Sequence, residues 1–147
     1  ALWDAYVTCR VRNLYDPYGL PGSCALSELD APRDRPDVLH RLVMDGSSVI
    51  AVARLDLDPV EVPAGCARPV AQLRYFAVDT DRRGTGVGRL LLHAMERESL
   101  ERGRPMIWMD ARAEAVPFYA RCGYADIGAG PTKWGVIPHR KMMRALP

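Results

Sequence analysis

Residues 81–95 read DRRGTGVGRLLLHAM, with Gly84, Gly86 and Gly88 alternating between a pair of arginines and a run of leucines. Every glycine adds backbone freedom that folding must remove, so three in five positions need a use. The stretch before them, VAQLRYFAVD (70–79), is rich in β-branched and aromatic residues and reads as a strand. The stretch after them has helical spacing. A strand, a glycine turn and a helix start make a seat for an anion. The first N–H groups of a helix have no acceptor within it, and the macrodipole adds positive character. Without Cβ atoms in the way, a phosphate can approach the backbone closely. Arg82, Arg83 and Arg89 add charge. The alternative is a glycine turn that only reverses the chain.

Two familiar phosphate loops do not fit. From Gly84, a Walker A loop needs a second glycine five residues on, just before its Lys-Ser/Thr, and a dinucleotide fingerprint needs its third glycine there; that position is Arg89. The seat has to be read in its surroundings. LWDAYVTCRVRNLY (2–15) reads as a helix with Leu2, Tyr6, Cys9 and Asn13 along one face, stopped by DPYGLPG (16–22). LDAPRDRPD (29–37) is a polar loop. VLHRLVMD (38–45) and VIAVARLDLD (49–58) flank a hairpin turn, and 59–69 is a proline-bearing connection. The helix after the glycines is expected to turn Val87, Leu90, Leu91, Ala94 and Met95 inward. PMIWMD (105–110) reads as a buried strand, 112–122 as a helix. YADIG (124–128) and HRKMMRAL (139–146) read as strands joined by a loop holding Gly130, Pro131 and Gly135. This order predicts one mixed α/β (α+β) domain over residues 1–147, its sheet mostly antiparallel.

Composition excludes several classes. Hydrophobic residues are 48% and charged residues 26% of 147, ordinary for a globular chain with its own core. A formal net charge of +2 is too small to argue for nucleic acid. No apolar run reaches the roughly 18 residues of a membrane span. The start lacks the basic and apolar regions of a signal peptide, and it also lacks a Met. Cys9, Cys24, Cys66 and Cys122 are too far apart for a zinc site, and the expectation is four free thiols, no metal and a cytoplasmic setting.

The spacing Arg83-Gly84-Thr85-Gly86-Val87-Gly88 resembles the Q/R-x-x-G-x-G/A signature of the GNAT superfamily of N-acetyltransferases. It follows a strand ending Phe76-Ala77-Val78. Further along, Ala115 to Tyr124 looks like the family's A-x-x-x-Y-x-x-x-G-F segment. The early Arg-x-x-x-Tyr helix, the acidic loop near Asp30, the His40 strand and Gly135 to His139 look most like the ElaA-like branch. Two departures stand out. The family normally has a strand before its first helix, and many members carry asparagine where this chain has Arg112.

The resemblance implies a GNAT fold with splayed central strands, acetyl-CoA as co-substrate, and attack of a primary amine on the thioester in a ternary complex. It implies that Phe76, Ala77 and Val78 bind the pantetheine arm through their backbone, with the Val78 N–H facing the thioester oxygen. It places the pyrophosphate on Arg83, Gly84, Thr85, Gly86, Val87, Gly88 and Arg89, and adds Phe118 to the cofactor contacts. Tyr119 falls on the tyrosine that assists the leaving thiolate; its plain alternative is a core residue. Some members use a glutamate six residues before the Val78 position, where this chain has Gln72, which cannot accept a proton. His139 is then the best candidate base, because histidine titrates near neutrality. Its alternative is to fix the last strand by hydrogen bonds, and a water chain without a dedicated base is also open. His40 and His93 are weaker, with His93 expected on the solvent side. Asp110 is expected to cap the following helix, Trp108 to lie in the core, and Trp134 to line an acceptor pocket. Glu28, Asp30, Asp34 and Asp37, interleaved with Arg33 and Arg35, read as a solvated loop. The acceptor is expected to be a small-molecule amine, with no membrane and no nucleic acid as partner, and a homodimer is left open. The rivals are an acyl-CoA-binding module without catalysis, and an acetyltransferase acting on protein or aminoacyl-tRNA amines.

Overall fold

The computed structural model describes residues 2–20 and 35–147. Cys24 and the acidic run from Glu28 to Asp34 lie outside them. The elements are α1 (Leu2–Leu14), β1 (Val38–Asp45), β2 (Ser48–Asp56), β3 (Ala71–Val78), α2 (Val87–Glu101), β4 (Met106–Arg112), α3 (Val116–Arg121), β5 (Ala125–Lys133) and β6 (Ile137–Ala145). The strands form one sheet in the order β1-β2-β3-β4-β6-β5. β1 and β2 are a hairpin turned at Gly46, whose φ of 60° is the left-handed geometry a two-residue turn requires. β6 runs antiparallel to both β4 and β5, while β3 runs parallel to β4. That parallel ladder holds two pairs, Ala71 with Ile107 and Gln72 with Trp108. A few residues on, Tyr75 sits at φ 52°, a conformation that breaks strand regularity and that a bulky residue rarely adopts.

The chain forms two compact units, Ala1–Arg54 with Tyr75–Ala94, and Leu55–Arg74 with Met95–Pro147. In the first, α1 packs Tyr6, Cys9 and Leu14 onto Val49, Val52 and Ala77. In the second, Ile107, Trp108, Met109, Ile137 and Met142 are fully buried. Each such side chain contributes on the order of 1.5–3 kcal/mol relative to exposure. Cys9, Cys66 and Cys122 are free thiols, and no helix among the described residues is long and apolar enough to cross a membrane.

Four details differ from the sequence reading. Leu2 is exposed, and the buried face of α1 includes Arg10. On α2, Leu90 and Ala94 face outward, and the inward stripe is Leu91, Leu92, Met95, Glu96 and Ser99. That stripe holds two polar residues, so hydropathy alone chose the neighbouring one. Glu96 is buried because Tyr124 Oη and Arg144 Nη1 each donate to its Oε2 at 2.9 Å, and Ser99 because its hydroxyl donates to the Arg104 carbonyl at 2.7 Å. β5 runs through Gly130 and Pro131 to Lys133, where a loop was expected; register shifts between Asp126 and Gly128 and between Ala129 and Thr132 absorb the irregular residues. Finally, Asp110 and Arg112 both lie in β4, and the helix beyond them begins as a short 3-10 turn, Ala113–Ala115.

Candidate functional site

The glycine loop lies in the first unit. β3 ends at Val78, and the Asp79 N–H donates to the Ile50 carbonyl at 2.8 Å. A 3-10 turn, Thr80–Arg82, leads to Gly84 at φ 78° and Gly86 at φ 91°. Only glycine holds those angles without strain. A Cβ built on either would meet nothing within 4 Å. The protein itself therefore leaves the space above both glycines open. The first bond of α2 runs from the Leu90 N–H to the Gly86 carbonyl at 3.0 Å, so the N–H groups of Val87, Gly88 and Arg89 have no acceptor within the helix.

The arginines divide by partner. Arg82 is committed to Asp45, Nη1 to Oδ2 at 2.6 Å. Arg83 donates from Nε to the Val78 carbonyl at 3.3 Å, and neither Arg83 nor Arg89 forms an ion pair among the described residues. Thr85 turns its hydroxyl back onto the Arg82 carbonyl. Exposed Arg83 and Arg89 beside open glycines and helix N–H groups are a set of donors suited to a pyrophosphate, which supplies only acceptors. On β3, Ala77 is in the core, so only its backbone is available to a ligand; Phe76 and Val78 are half-buried.

Asp79 holds this loop to α1, and sequence reasoning did not find it. Its carboxylate accepts from Arg12 Nε and Nη2 at 2.8 Å each and from Asn13 Nδ2 at 2.8 Å, with the Cys9 thiol at 3.9 Å. Those hydrogen bonds, Arg12 first, hold the Asp79 carboxyl below the ordinary carboxylate range, while burial pushes the Cys9 thiol up to about 11. The only hint in the sequence is an aspartate at the junction of strand and glycine turn. Replacing Asp79 with Asn costs about 1–2 kcal/mol at pH 7, less than a buried pair because Arg12 is 41% exposed. Because the folded state lowers this carboxyl, its contribution is present above the unfolded pKa of about 4 and is lost as pH falls through the folded value. Denaturant midpoints of the two proteins therefore differ at pH 7 and approach each other as pH falls below about 4.

Arg10 was also missed. It is fully buried, with its guanidinium 4.3 Å from the Tyr75 ring centroid and Nη2 donating to Tyr6 Oη at 3.0 Å. It braces the residue whose backbone is left-handed in β3. His40 shares this cluster, its Nδ1 3.0 Å from Tyr6 Oη.

Tyr119 and His139 lie in the second unit. Pro117 enters α3 in its first turn, where its missing N–H is not needed, and Tyr119 is the buried residue of that helix. Its ring meets Phe118 and Tyr124 edge-on at centroid distances of 5.3 and 5.9 Å. Burial pushes its phenol above the usual range, with the Arg112 charge acting in the opposite direction. Tyr124 follows Gly123, whose φ is 93° and whose place a Cβ could take only by pressing on Arg144 Nε at 3.0 Å.

His139 is 7% exposed. Its Nδ1 lies 2.8 Å from the Ile137 carbonyl and 3.2 Å from that of Pro131. Carbonyls only accept, so Nδ1 carries the proton and Nε2 keeps its lone pair. Burial, with the charges of Lys133 and Arg112, lowers its pKa and keeps the ring neutral. The Nδ1 hydrogen bonds tie the strand, and Nε2 carries no proton.

Asp110 caps no helix; it lies opposite Lys141 in the β4–β6 ladder and accepts from Lys141 Nζ at 3.2 Å. Trp108 is fully buried with Lys141 Nζ 4.8 Å from its ring. Trp134, 42% exposed, occupies the β5–β6 turn at φ 56°. His93 is exposed, and Gln72 is half-buried beside Trp108.

The family model described as Acetyltransferase (GNAT) family matches residues 8–124. An N-acetyltransferase of Bacillus subtilis, YjcF, is 29% identical over 89 residues, which are 57% of this chain and 64% of that protein. The chain thus spans less than two thirds of that curated relative. Among solved structures, an aminoglycoside 6'-N-acetyltransferase complexed with coenzyme A superposes with a TM-score of 0.73 at 16% identity, covering 98% of this chain and 91% of the other. Escherichia coli ElaA superposes with a TM-score of 0.74 at 18% identity, covering 97% and 88%. At such identities the likeness is one of fold, whereas the family model covers most of the sequence. The chain belongs to the GNAT family of acetyltransferases.

Proposed function

We propose that this chain is an acetyl-CoA-dependent N-acetyltransferase that acts on a primary amine of a small molecule in the cytoplasm, working as a single domain. The observation that carries the reading is the glycine loop: two left-handed glycines with open space above them, unbonded helix N–H groups, and Arg83 and Arg89 without acidic partners among the described residues. The shared fold with a coenzyme A complex supports the same ligand.

In this reading Arg83 to Arg89 hold the pyrophosphate, the backbone of Phe76 to Val78 hydrogen-bonds the pantetheine arm as an added strand, and Phe118 adds an apolar contact. Acetyl-CoA supplies an acyl thioester, activated toward amines. The Val78 N–H donates to the carbonyl oxygen as charge develops there. The acceptor arrives mostly as an ammonium, since aliphatic amines titrate near pH 10, and must lose a proton first. His139 Nε2 takes a proton from the nitrogen. As the C–N bond forms and the C–S bond breaks, the Tyr119 O–H donates to the departing sulfur, the second nitrogen proton leaves to solvent, and the phenol regains its proton from solvent. The products are an amide and free CoA thiol.

The test is thiol release from acetyl-CoA in the presence of a polyamine, an aromatic monoamine, an aminoglycoside and a lysine peptide. Release that scales with protein and exceeds hydrolysis for one of these is expected. Binding of acetyl-CoA with no release from any amine would instead make the chain a binding module, the reading favoured by Gln72 at the carboxylate position.

A further inference from the structure

Resting on the proton-donor role proposed for Tyr119, we infer that Tyr124 is its positioning residue: the Tyr124 ring bears on the Tyr119 ring, and its hydroxyl is anchored on the buried carboxylate of Glu96. The need for such a residue follows from the helix that carries Tyr119. α3 spans only Val116–Arg121. A helix that short gains little stability of its own, so what surrounds it decides where its side chains stand. Phe118 meets the Tyr119 ring from the same helix and moves with it. Tyr124 lies beyond the helix and is tied elsewhere. Gly123 at φ 93° reverses the chain there, and the Tyr124 N–H returns to the Tyr119 carbonyl at 3.0 Å. The two rings then meet edge-on, 5.9 Å between centroids and 67° between planes.

The anchor draws on two further elements. Glu96 stands on α2 and is 7% exposed. Tyr124 Oη and Arg144 Nη1, the latter from β6, both donate to its Oε2 at 2.9 Å. Burial first, then the Glu96 charge, pushes the Tyr124 phenol above its usual range, so the hydroxyl stays a donor. A hydrogen bond to a buried carboxylate is stronger than one between neutral groups, and this one fixes the far end of the Tyr124 ring. Arg144 also bounds the chain reversal, because a Cβ at Gly123 would press on its Nε at 3.0 Å. The contacts thus run from a fixed ion pair through one ring to the other, all within the second unit. In the family segment that residues 115–124 resemble, the last position is phenylalanine. The hydroxyl is what this chain adds to it.

Tyr124→Phe tests the anchor alone. It keeps the ring, and Glu96 keeps Arg144, so no buried charge is left unpaired. The first readout needs no ligand. With ring-labelled tyrosine, and Tyr119 assigned by Tyr119→Phe, NMR exchange measures how fast the Tyr119 ring flips. Flipping in Tyr124→Phe is expected to be at least about 10-fold faster than in wild type. The second readout is kcat with whichever of the polyamine, aromatic monoamine, aminoglycoside and lysine peptide releases most thiol. Tyr124→Phe is expected to lower kcat about 5–10-fold with the KM for acetyl-CoA within about twofold, and to cost nothing further in a Tyr119→Phe background. A general loosening of the fold would instead lower kcat by the same factor in both backgrounds. That result, or an unchanged flip rate, overturns the inference. If Tyr119→Phe by itself leaves kcat unchanged, the donor role beneath the inference fails, so the two failures are told apart.

Discussion

Gly86→Glu is expected to weaken acetyl-CoA binding by at least about 100-fold, or roughly 2.7 kcal/mol. Two effects add. At φ 91° any L-residue is strained by about 1–2 kcal/mol. A carboxylate then stands where Arg83, Arg89 and the first N–H groups of α2 would otherwise face a pyrophosphate, and it repels that ligand in the same space. Because nothing of the protein lies within 4 Å of the built Cβ, packing adds little to the loss. Gly86→Ala separates the two effects: it keeps the strain without the charge and should lose only about 5–10-fold. Gly46→Glu is the matched control. Its φ of 60° is also left-handed with open space around it, but it turns the β1–β2 hairpin, and acetyl-CoA affinity should be unchanged. Isothermal titration of the three variants checks this.

Tyr119→Phe is expected to lower kcat by about 100- to 1000-fold while the KM for acetyl-CoA moves less than about twofold. The substitution removes one oxygen and keeps the ring, so the edge-on contacts with Phe118 and Tyr124 survive. Burial keeps the phenol protonated throughout the working range, so it presents an O–H donor rather than a phenolate. In the proposed role that donor matters only as charge develops on sulfur, hence the expected effect on turnover rather than on binding. Steady-state kinetics with the amine found active in the thiol-release screen measures both constants. Equal losses in kcat and affinity would assign Tyr119 to the core alone.

The parts legible in the sequence were those with local signatures. The glycine stretch read as a turn between a strand and a helix, and the left-handed backbone of Gly84 and Gly86 lies within it. The hairpin at 46, the strand ending at Val78 and the start of α2 followed from turn chemistry and period. What was hidden depended on partners far along the chain. Glu96 looked like a solvent residue, and only Tyr124 and Arg144, distant in sequence, make its burial tolerable; this is why the inward stripe of α2 was misread by one residue. Arg10 and Asp79 were missed for the same reason, since the Tyr6 and Tyr75 rings and the Arg12 guanidinium that accommodate them are brought there by tertiary packing. Gly130 and Pro131 read as loop, whereas shifts in the β5–β6 register let the strand run through them. Asp110 read as a cap because β4 was taken to end there; its partner Lys141 became visible only with the ladder.

The central claim is that the glycine loop seats the pyrophosphate of acetyl-CoA. Calorimetric titration of the wild-type chain with acetyl-CoA, with NAD and ATP as controls, tests it most directly. The account predicts saturable 1:1 binding of acetyl-CoA and none of comparable strength with the other two, since they share phosphates but lack the pantetheine arm that β3 is proposed to hold. No heat with acetyl-CoA, or equal binding of all three, would contradict it.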